Sequence, residues 1–323
     1  MNRIEHFDLM KGIAIILVVI GHIMLFSFGI YGSDLEHFLV IFHMPVFFYV
    51  SGFLAYKSMH SGRPILLQIW RYTRALILPL LVWCVLWNVT HHDETLLNML
   101  SRCGGKYWFL NTLAVLSIFF TCYEKLAGKV KNTVGYCALW FLPFVLLAVI
   151  KVNVGATCCV SVDSIVTYYR YYLVGFLCCK YDWLNRFLFC NKVVYAWAVA
   201  TFALDFVLID KNNYFLTFAG AVSAIIILQN LCEHIATNVY PGRYRRLTSI
   251  GNKTLSIYLI HFFFLPDLTQ LVTPIASIGN PFMIHLMLTL VISALIIPIC
   301  LLVETIISKN QYLNFLLFGK PLK

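Results

Sequence analysis

Leu9 to Gly29 reads LMKGIAIILVVIGHIMLFSFG, and Lys11 and His22 are its only side chains that can carry a charge. Wound as an α-helix, an apolar run of roughly 20 residues matches a hydrocarbon layer ~30 Å thick. The run is apolar on every side and shows no period of two, so it reads as a helix and not as a barrel strand. Similar runs recur at 38–56, 75–90, 107–123, 134–150, 164–180, 192–209, 214–232, 251–270 and 283–307. They predict an all-α, polytopic integral membrane protein of about ten transmembrane helices. The connections are short, so residues 1–323 read as a single transmembrane domain with no separate soluble domain. Composition agrees: 61% of residues are hydrophobic and 12% charged, where a soluble domain carries about a quarter charged. The mean hydropathy is +0.82.

A formal net charge of +10 would suit nucleic acid, but the distribution of that charge points elsewhere. Lys57, Arg63, Arg71 and Arg74 fall on one side of the predicted spans, with Lys125, Lys129 and Lys131, and with Arg243, Arg245, Arg246 and Lys253. The opposite connections hold only Arg102, Lys106, Lys151 and Lys211. The basic excess marks the cytoplasmic side. It places both termini in the cytoplasm, with the protein in the inner (cytoplasmic) membrane and lipid as its surroundings; no nucleic-acid partner is expected. The N-terminal segment mixes acids and bases and has no small-x-small cleavage site, so no cleaved signal is expected. No internal repeat stands out, which weakly disfavours an inverted-repeat transporter.

Eleven cysteines are present, most of them within apolar runs, where cysteine acts as a small apolar residue. No CxxC pair or Cys/His cluster has metal-ligand spacing, so no metal site is expected. Cys103 with Cys158 or Cys159 is a minor disulfide candidate on the outer face.

Ionisable groups inside spans are costly and therefore functional candidates. Lys11 and His22 are eleven residues apart, and eleven steps of 100° return to within about 20°. They share one helix face, ~16 Å apart along the axis. A snorkelling lysine and a packed histidine would explain them equally well. Counting ~1.5 Å per residue, His22, His43, His261 and Arg170 fall in one slab roughly 15–20 Å from the cytoplasmic boundary. Alone, each reads as a hydrogen-bonded packing residue; together they favour a shared polar cavity. Arg71 and Arg74 share a face at the entry of the third span and, with Arg63, Lys57 and Lys11, form a basic cytoplasmic mouth. The positive-inside rule alone would also explain them. Glu304 needs only snorkelling or an arginine partner. Asp205 has no evident role. Tyr168, Tyr169, Tyr171 and Tyr172 form either a sugar-stacking surface or an interfacial aromatic belt, the belt being the more ordinary reading.

The opening RIEHFDLMKGIAIILVVIGH (Arg3–His22) resembles the first helix of membrane acyltransferase family three, marked by a basic residue, ten residues and a histidine, here Lys11 and His22. FHMPVFFYVSGFL (Phe42–Leu54) resembles the family's second helix and looks most like its fucose acetylase-like branch. Arg71, Arg74 and Pro79 resemble its next basic stretch, and WFLNTL (Trp108–Leu113) and GNKTLSIYLIH (Gly251–His261) are similar to later segments. The likeness runs in order along the whole chain. It implies transfer of an acyl group, usually acetyl, from cytoplasmic acyl-CoA to a carbohydrate hydroxyl. Acetyl-CoA would be a co-substrate, with no permanently bound cofactor, and the acceptor a cell-surface or lipid-linked carbohydrate. Lys11 departs from the family's frequent arginine, and an ammonium cannot make the bidentate fork of a guanidinium.

On that reading His22 is the general base, with Lys11 beside it as catalytic or donor-positioning. Arg71, Arg74 and Arg63 meet the phosphates of acyl-CoA. His43, Arg170, His261, Trp108 and Asn111 line the acceptor or oxyanion region. No serine elbow or cysteine nucleophile stands out, which favours direct attack on the thioester. A proton-coupled transporter of a sugar or organic anion is the alternative, since buried histidines and an arginine would serve it too.

Overall fold

The computed structural model describes residues 4–30, 34–91, 105–153, 161–208, 213–276 and 281–322. Cys103, Cys158 and Cys159, and hence the disulfide candidate, lie outside the described residues. The described residues form helices and connecting turns. Among the described residues, six helical segments are long and apolar enough to cross a membrane: Glu5–Ser27, Ile65–His91, Gly105–Ala127, Thr133–Lys151, Tyr214–Asn238 and Phe282–Ile307. Asp182–Phe189 and Lys192–Asp205, bent by 61°, make a seventh if they count as one span. The chain is thus an all-helical, multi-pass membrane protein. Its outer surface agrees: Phe141, Leu142, Val145, Leu146, Val149 and Ile150 are exposed on one helix, an unbroken apolar face that lipid would cover.

The chain divides into two compact units, one of residues 1–47 with 183–306, the other of 48–182 with 307–323. In the first, α1 (Glu5–His22) continues into a π-helical turn, Ile23–Ser27. It packs on α10 (Tyr214–Asn238), α11 (Pro241–Asn252) and α12 (Thr254–Ile260), which ends in a 3₁₀ turn, His261–Phe264. Contact is closest where no side chain intervenes. A Cβ on Gly12 would stand 2.5 Å from the Leu247 carbonyl oxygen, and one on Gly251 would collide with that of Asp8. Such approach lets the two backbones pack directly, with no side chain between them. The helices α9 (Lys192–Leu208) and α14 (Pro281–Ile307) complete this unit, with the short α8 (Asp182–Phe189) at its boundary and α13 (Val272–Ala276) on a connection. Glu304, on α14, is buried and pairs with Lys253 at 2.6 Å. A lysine from the GNK segment thus supplies a partner for Glu304.

In the second unit, α3 (Ile65–Tyr72), a π turn (Thr73–Ile77) and α4 (Leu78–His91) form one helical segment. The third span therefore begins some ten residues before 75, and both Arg71 and Arg74 lie inside it. α5 (Trp108–Ala127), α6 (Thr133–Asn153) and α7 (Val162–Lys180) pack on one another. The C-terminal part of α2 (Asp34–Met59) meets α7 through reciprocal glycines: Gly52 lies on the Tyr172 carbonyl and Gly175 on that of Tyr49. α15 (Gln311–Phe318) is capped by Asn310, which accepts from the Tyr312 and Leu313 amides, and ends at Gly319 with φ 61°. It lies on α4, where Trp83 Nε1 donates to the Leu317 carbonyl at 2.8 Å. Tyr169, Tyr171 and Tyr172 of the α7 run are core and not an interfacial belt. Tyr169 and Tyr172 are fully buried and donate to the Trp140 carbonyl at 2.8 Å and the Ser117 hydroxyl at 3.2 Å.

Candidate functional site

In the first unit the C-terminal end of α1 delivers His22, and the 3₁₀ turn after α12 delivers His261. Their rings meet: His22 Nδ1 is 2.7 Å from His261 Nε2. The ring planes are 14° apart and the centroids 5.0 Å apart. With so short a nitrogen contact, that spacing sets the two imidazoles edge to edge in nearly one plane. His261 is fully buried, and its Nδ1 is 2.9 Å from the Ile257 carbonyl oxygen. A carbonyl can only accept, so His261 carries its proton on Nδ1 and presents a lone pair at Nε2. The contact with His22 then needs a proton on His22 Nδ1. With both rings neutral, the basic nitrogen of His22 is Nε2, an assignment read from the hydrogen-bond network. Phe262 stacks on the His22 ring at 4.9 Å with the planes 30° apart, and Phe26 meets it edge-on at 5.4 Å. The π turn begins at the residue after His22; single π turns often mark functional places in helices. Its last carbonyl, on Ser27, accepts from the Leu268 amide at 2.8 Å, tying it to the segment that follows the 3₁₀ turn.

Lys11 lies on the same unbroken helix as His22, and its ammonium is 2.8 Å from Asp8 one turn earlier. Asp8 is buried, so the lysine is held along the helix by a carboxylate that needs it. His43 is buried within α2. The first unit therefore contains His22, His261, Lys11 and His43, and it joins the first two directly.

The second unit holds the remaining candidates. Arg170, on α7, donates from Nε to the Thr167 carbonyl at 3.1 Å and lies 5.1 Å from the centre of the Tyr171 ring. Trp108, at the start of α5, stacks on Tyr168 at 5.3 Å, and Tyr168 stacks on Phe48 at 4.5 Å. Asn111 lies one turn beyond Trp108, partly buried. The two arginines of the third span part company. Arg71 reaches the Ser58 hydroxyl at 3.4 Å, and Arg74 Nε donates to the Gly319 carbonyl at 3.0 Å, closing the end of α15. The π turn at Thr73–Ile77 changes the angular step between them, and no spacing rule for a regular helix anticipates that.

Arg63 lines a cavity of about 530 Å³ together with Glu124, Lys125, Lys129 and Lys180. Glu124 was not singled out from sequence, although one carboxylate near the end of an apolar span is a signal that could have found it. Among the described residues, no group of three or more His, Cys, Asp or Glu side chains is arranged to hold a metal.

Comparison with known proteins gives the chain its family. It is 26% identical to nodulation protein NolL of Mesorhizobium japonicum over 99% of this chain and 91% of that protein. It is 27% identical to nodulation protein NolL of Sinorhizobium fredii over 83% of this chain and 80% of that protein. No solved structure matches it. A family model described as an acyltransferase domain matches residues 4–305, and by that match the chain belongs to acyltransferase family three.

Proposed function

We propose that this protein is a membrane O-acyltransferase that moves an acyl group, acetyl in the first instance, from cytoplasmic acyl-CoA to a carbohydrate hydroxyl, with His22 as general base. The observation that carries this reading is the His22–His261 contact. A hydroxyl is a poor nucleophile and needs a base at the moment of attack. With the Nδ1 proton committed to His261, Nε2 of His22 takes the acceptor's proton as its oxygen attacks the thioester carbonyl. The new ester C–O bond forms, the C–S bond breaks, and the thiolate of coenzyme A leaves and is protonated by the histidine. His261 acts through His22 and is a positioning residue. The aromatic stack of Trp108 and Tyr168 in the second unit, with Arg170 beside it in sequence, is the surface we assign to the sugar, with Asn111 near it.

We further infer about ten spans, an inner-membrane location and cytoplasmic termini. The convergence of Arg63, Lys125 and Lys180 on one cavity supports that topology, because the charge distribution puts all three on the cytoplasmic side. Cysteines introduced at Ile30 and Leu271 should label from the outside.

The test is acetyl-CoA consumption by purified protein supplied with candidate carbohydrates. His22→Gln keeps hydrogen-bonding capacity but cannot take up a proton near neutral pH. A positioned base contributes ~10²–10⁴-fold, so the glutamine variant should lose at least about a hundredfold. Turnover near wild-type in that variant would overturn the assignment. Substrate-driven proton flux in liposomes without acetyl-CoA consumption would favour the transporter reading instead.

A further inference from the structure

A cavity of about 530 Å³ in the second unit is left unexplained by the histidine pair. Three helix ends build it. The end of α2 and the turn after it bring His60 and Arg63, the end of α5 brings Glu124, Lys125 and Lys129, and the end of α7 brings Lys180. Gln68 fixes the turn: buried at the start of α3, its Nε2 donates to the Met59 and Arg63 carbonyls at 3.4 and 3.2 Å. Gly62, at φ 75°, lets the chain reverse there. The cavity wall is therefore a built structure, and its volume is that of a small-ligand site.

Its electrostatics are lopsided. Arg63, Lys125, Lys129 and Lys180 face a single carboxylate, Glu124, which is 8% exposed. A cleft lined by one sign of charge focuses potential and gathers counter-ions. Lysines serving only the positive-inside rule would extend toward headgroups. Lys180 does not: its ammonium lies 3.2 Å from the centre of the Tyr136 ring and 3.8 Å from Glu124 Oε1. His60 Nδ1 donates to the Tyr56 carbonyl at 3.1 Å, and its Nε2 faces the same Glu124 oxygen at 3.9 Å. Both distances exceed the ~2.7–2.9 Å of a charge-assisted hydrogen bond. The contact that closes on Glu124 is neutral, from the Tyr136 hydroxyl at 2.5 Å. A cation, Lys180, thus stands near a buried anion without being bound tightly to it.

We propose that this cavity seats the phosphate groups of the donor's nucleotide end, with Glu124 as a resident counter-ion that an incoming phosphate displaces. Lys180 exchanges the carboxylate for phosphate oxygens, and Arg63, Lys125 and Lys129 close on the ligand from the exposed side. The assignment rests on the acyl-CoA reading above and moves the main phosphate contacts from Arg71 and Arg74 to these residues. Phosphate chemistry could equally come from a lipid headgroup, and the experiment separates the two.

The full-length protein is placed in nanodiscs of zwitterionic lipid and titrated calorimetrically with adenosine 3′,5′-bisphosphate. Arg63→Ala and Lys129→Ala, both at exposed positions that leave the packing intact, should each weaken binding about tenfold or more, as loss of a charge-assisted contact does. Lys180→Gln should do the same. Glu124→Gln still accepts from Tyr136 but removes the negative charge, and it should tighten binding by about fivefold, the scale of one charge pair at partly screened range. A merely structural glutamate would not give that gain. Equal affinity in the wild type and the three cation variants would overturn the proposal, and weaker binding in Glu124→Gln would overturn the counter-ion role. In nanodiscs containing phosphatidylglycerol, a headgroup site shows no bisphosphate binding, which also overturns it. Acetyl-CoA turnover by the wild type is measured alongside. Turnover with an indifferent cavity leaves the proposed function standing and removes this inference; binding without turnover does the reverse.

Discussion

Replacing His261 tests the proposed mechanism more sharply than replacing His22, because His261 does not touch the reacting atoms. His261→Leu fills much of the same buried volume but removes the lone pair that receives the His22 Nδ1 proton at 2.7 Å. Leaving this part-buried donor without its acceptor costs up to about 1–3 kcal/mol. If that energy holds the base in its working tautomer and ring orientation, it appears in the barrier. At 1.36 kcal/mol per tenfold, kcat should fall by about five- to 150-fold. The donor KM should stay within about twofold, since His22 and His261 are not part of the phosphate cavity. His261→Gln returns an acceptor oxygen toward His22 and should recover most of the loss. The assay is initial-rate acetyl transfer in nanodiscs, with the folded fraction of each variant matched by size-exclusion chromatography. Equal damage in the leucine and glutamine variants would show that His261 matters for packing alone. An undamaged leucine variant would show that the histidine contact has no part in the chemistry, and the base assignment would lose its main support.

Three further outcomes follow from contacts described above. Lys253→Met leaves Glu304 buried at 2% exposure with its ammonium partner gone; it should destabilise the protein by about 3–5 kcal/mol, read as a lower Tm in detergent, and Glu304→Gln in the same chain should restore most of it. Arg74→Ala removes the donor that closes α15 at the Gly319 carbonyl; a Tm lowered by about 1 kcal/mol of stability, with coenzyme A affinity unchanged by calorimetry, is expected, and a loss of affinity would return Arg74 to the donor site. Gly12→Ala puts a methyl group 2.5 Å from the Leu247 carbonyl; overpacking of that kind costs about 1–3 kcal/mol, and an unchanged Tm would mean that α1 and α11 can separate freely.

What the sequence could convey depended on range. The apolar runs that became α1, α5, α6, α10 and α14 were legible because a helix in lipid satisfies its own backbone and must be apolar along its length. The Lys11–His22 stripe was legible because both residues lie on one regular helix. Each failure of detail has a physical origin. Arg71 and Arg74 find different partners, Ser58 and Gly319, the second from within a π turn, and propensity does not mark such a turn. The tyrosines of α7 resembled an interfacial belt by composition, but Trp140 and Ser117 supply buried acceptors from other helices. The lysine that pairs with Glu304 is 51 positions away, and His261 is 239 positions from His22; no local pattern encodes either. Depth counting put His22 and His261 at one level of the membrane without showing that they touch.

Gly12 precedes His22 by ten residues, and Gly251 precedes His261 by ten. The glycines bring α1 and α11 into backbone contact, and the histidines join the far ends of α1 and α12. The two segments therefore run in the same direction and keep step over that interval, like two rulers clamped at a common zero mark. A single residue inserted between Gly12 and His22, on one unbroken helix, would leave both contacts chemically possible and bring them out of phase by ~1.5 Å and 100° of rotation. The interval between glycine and histidine is therefore under the same constraint as the residues themselves, and drift in its length would part the two histidines without altering any side chain.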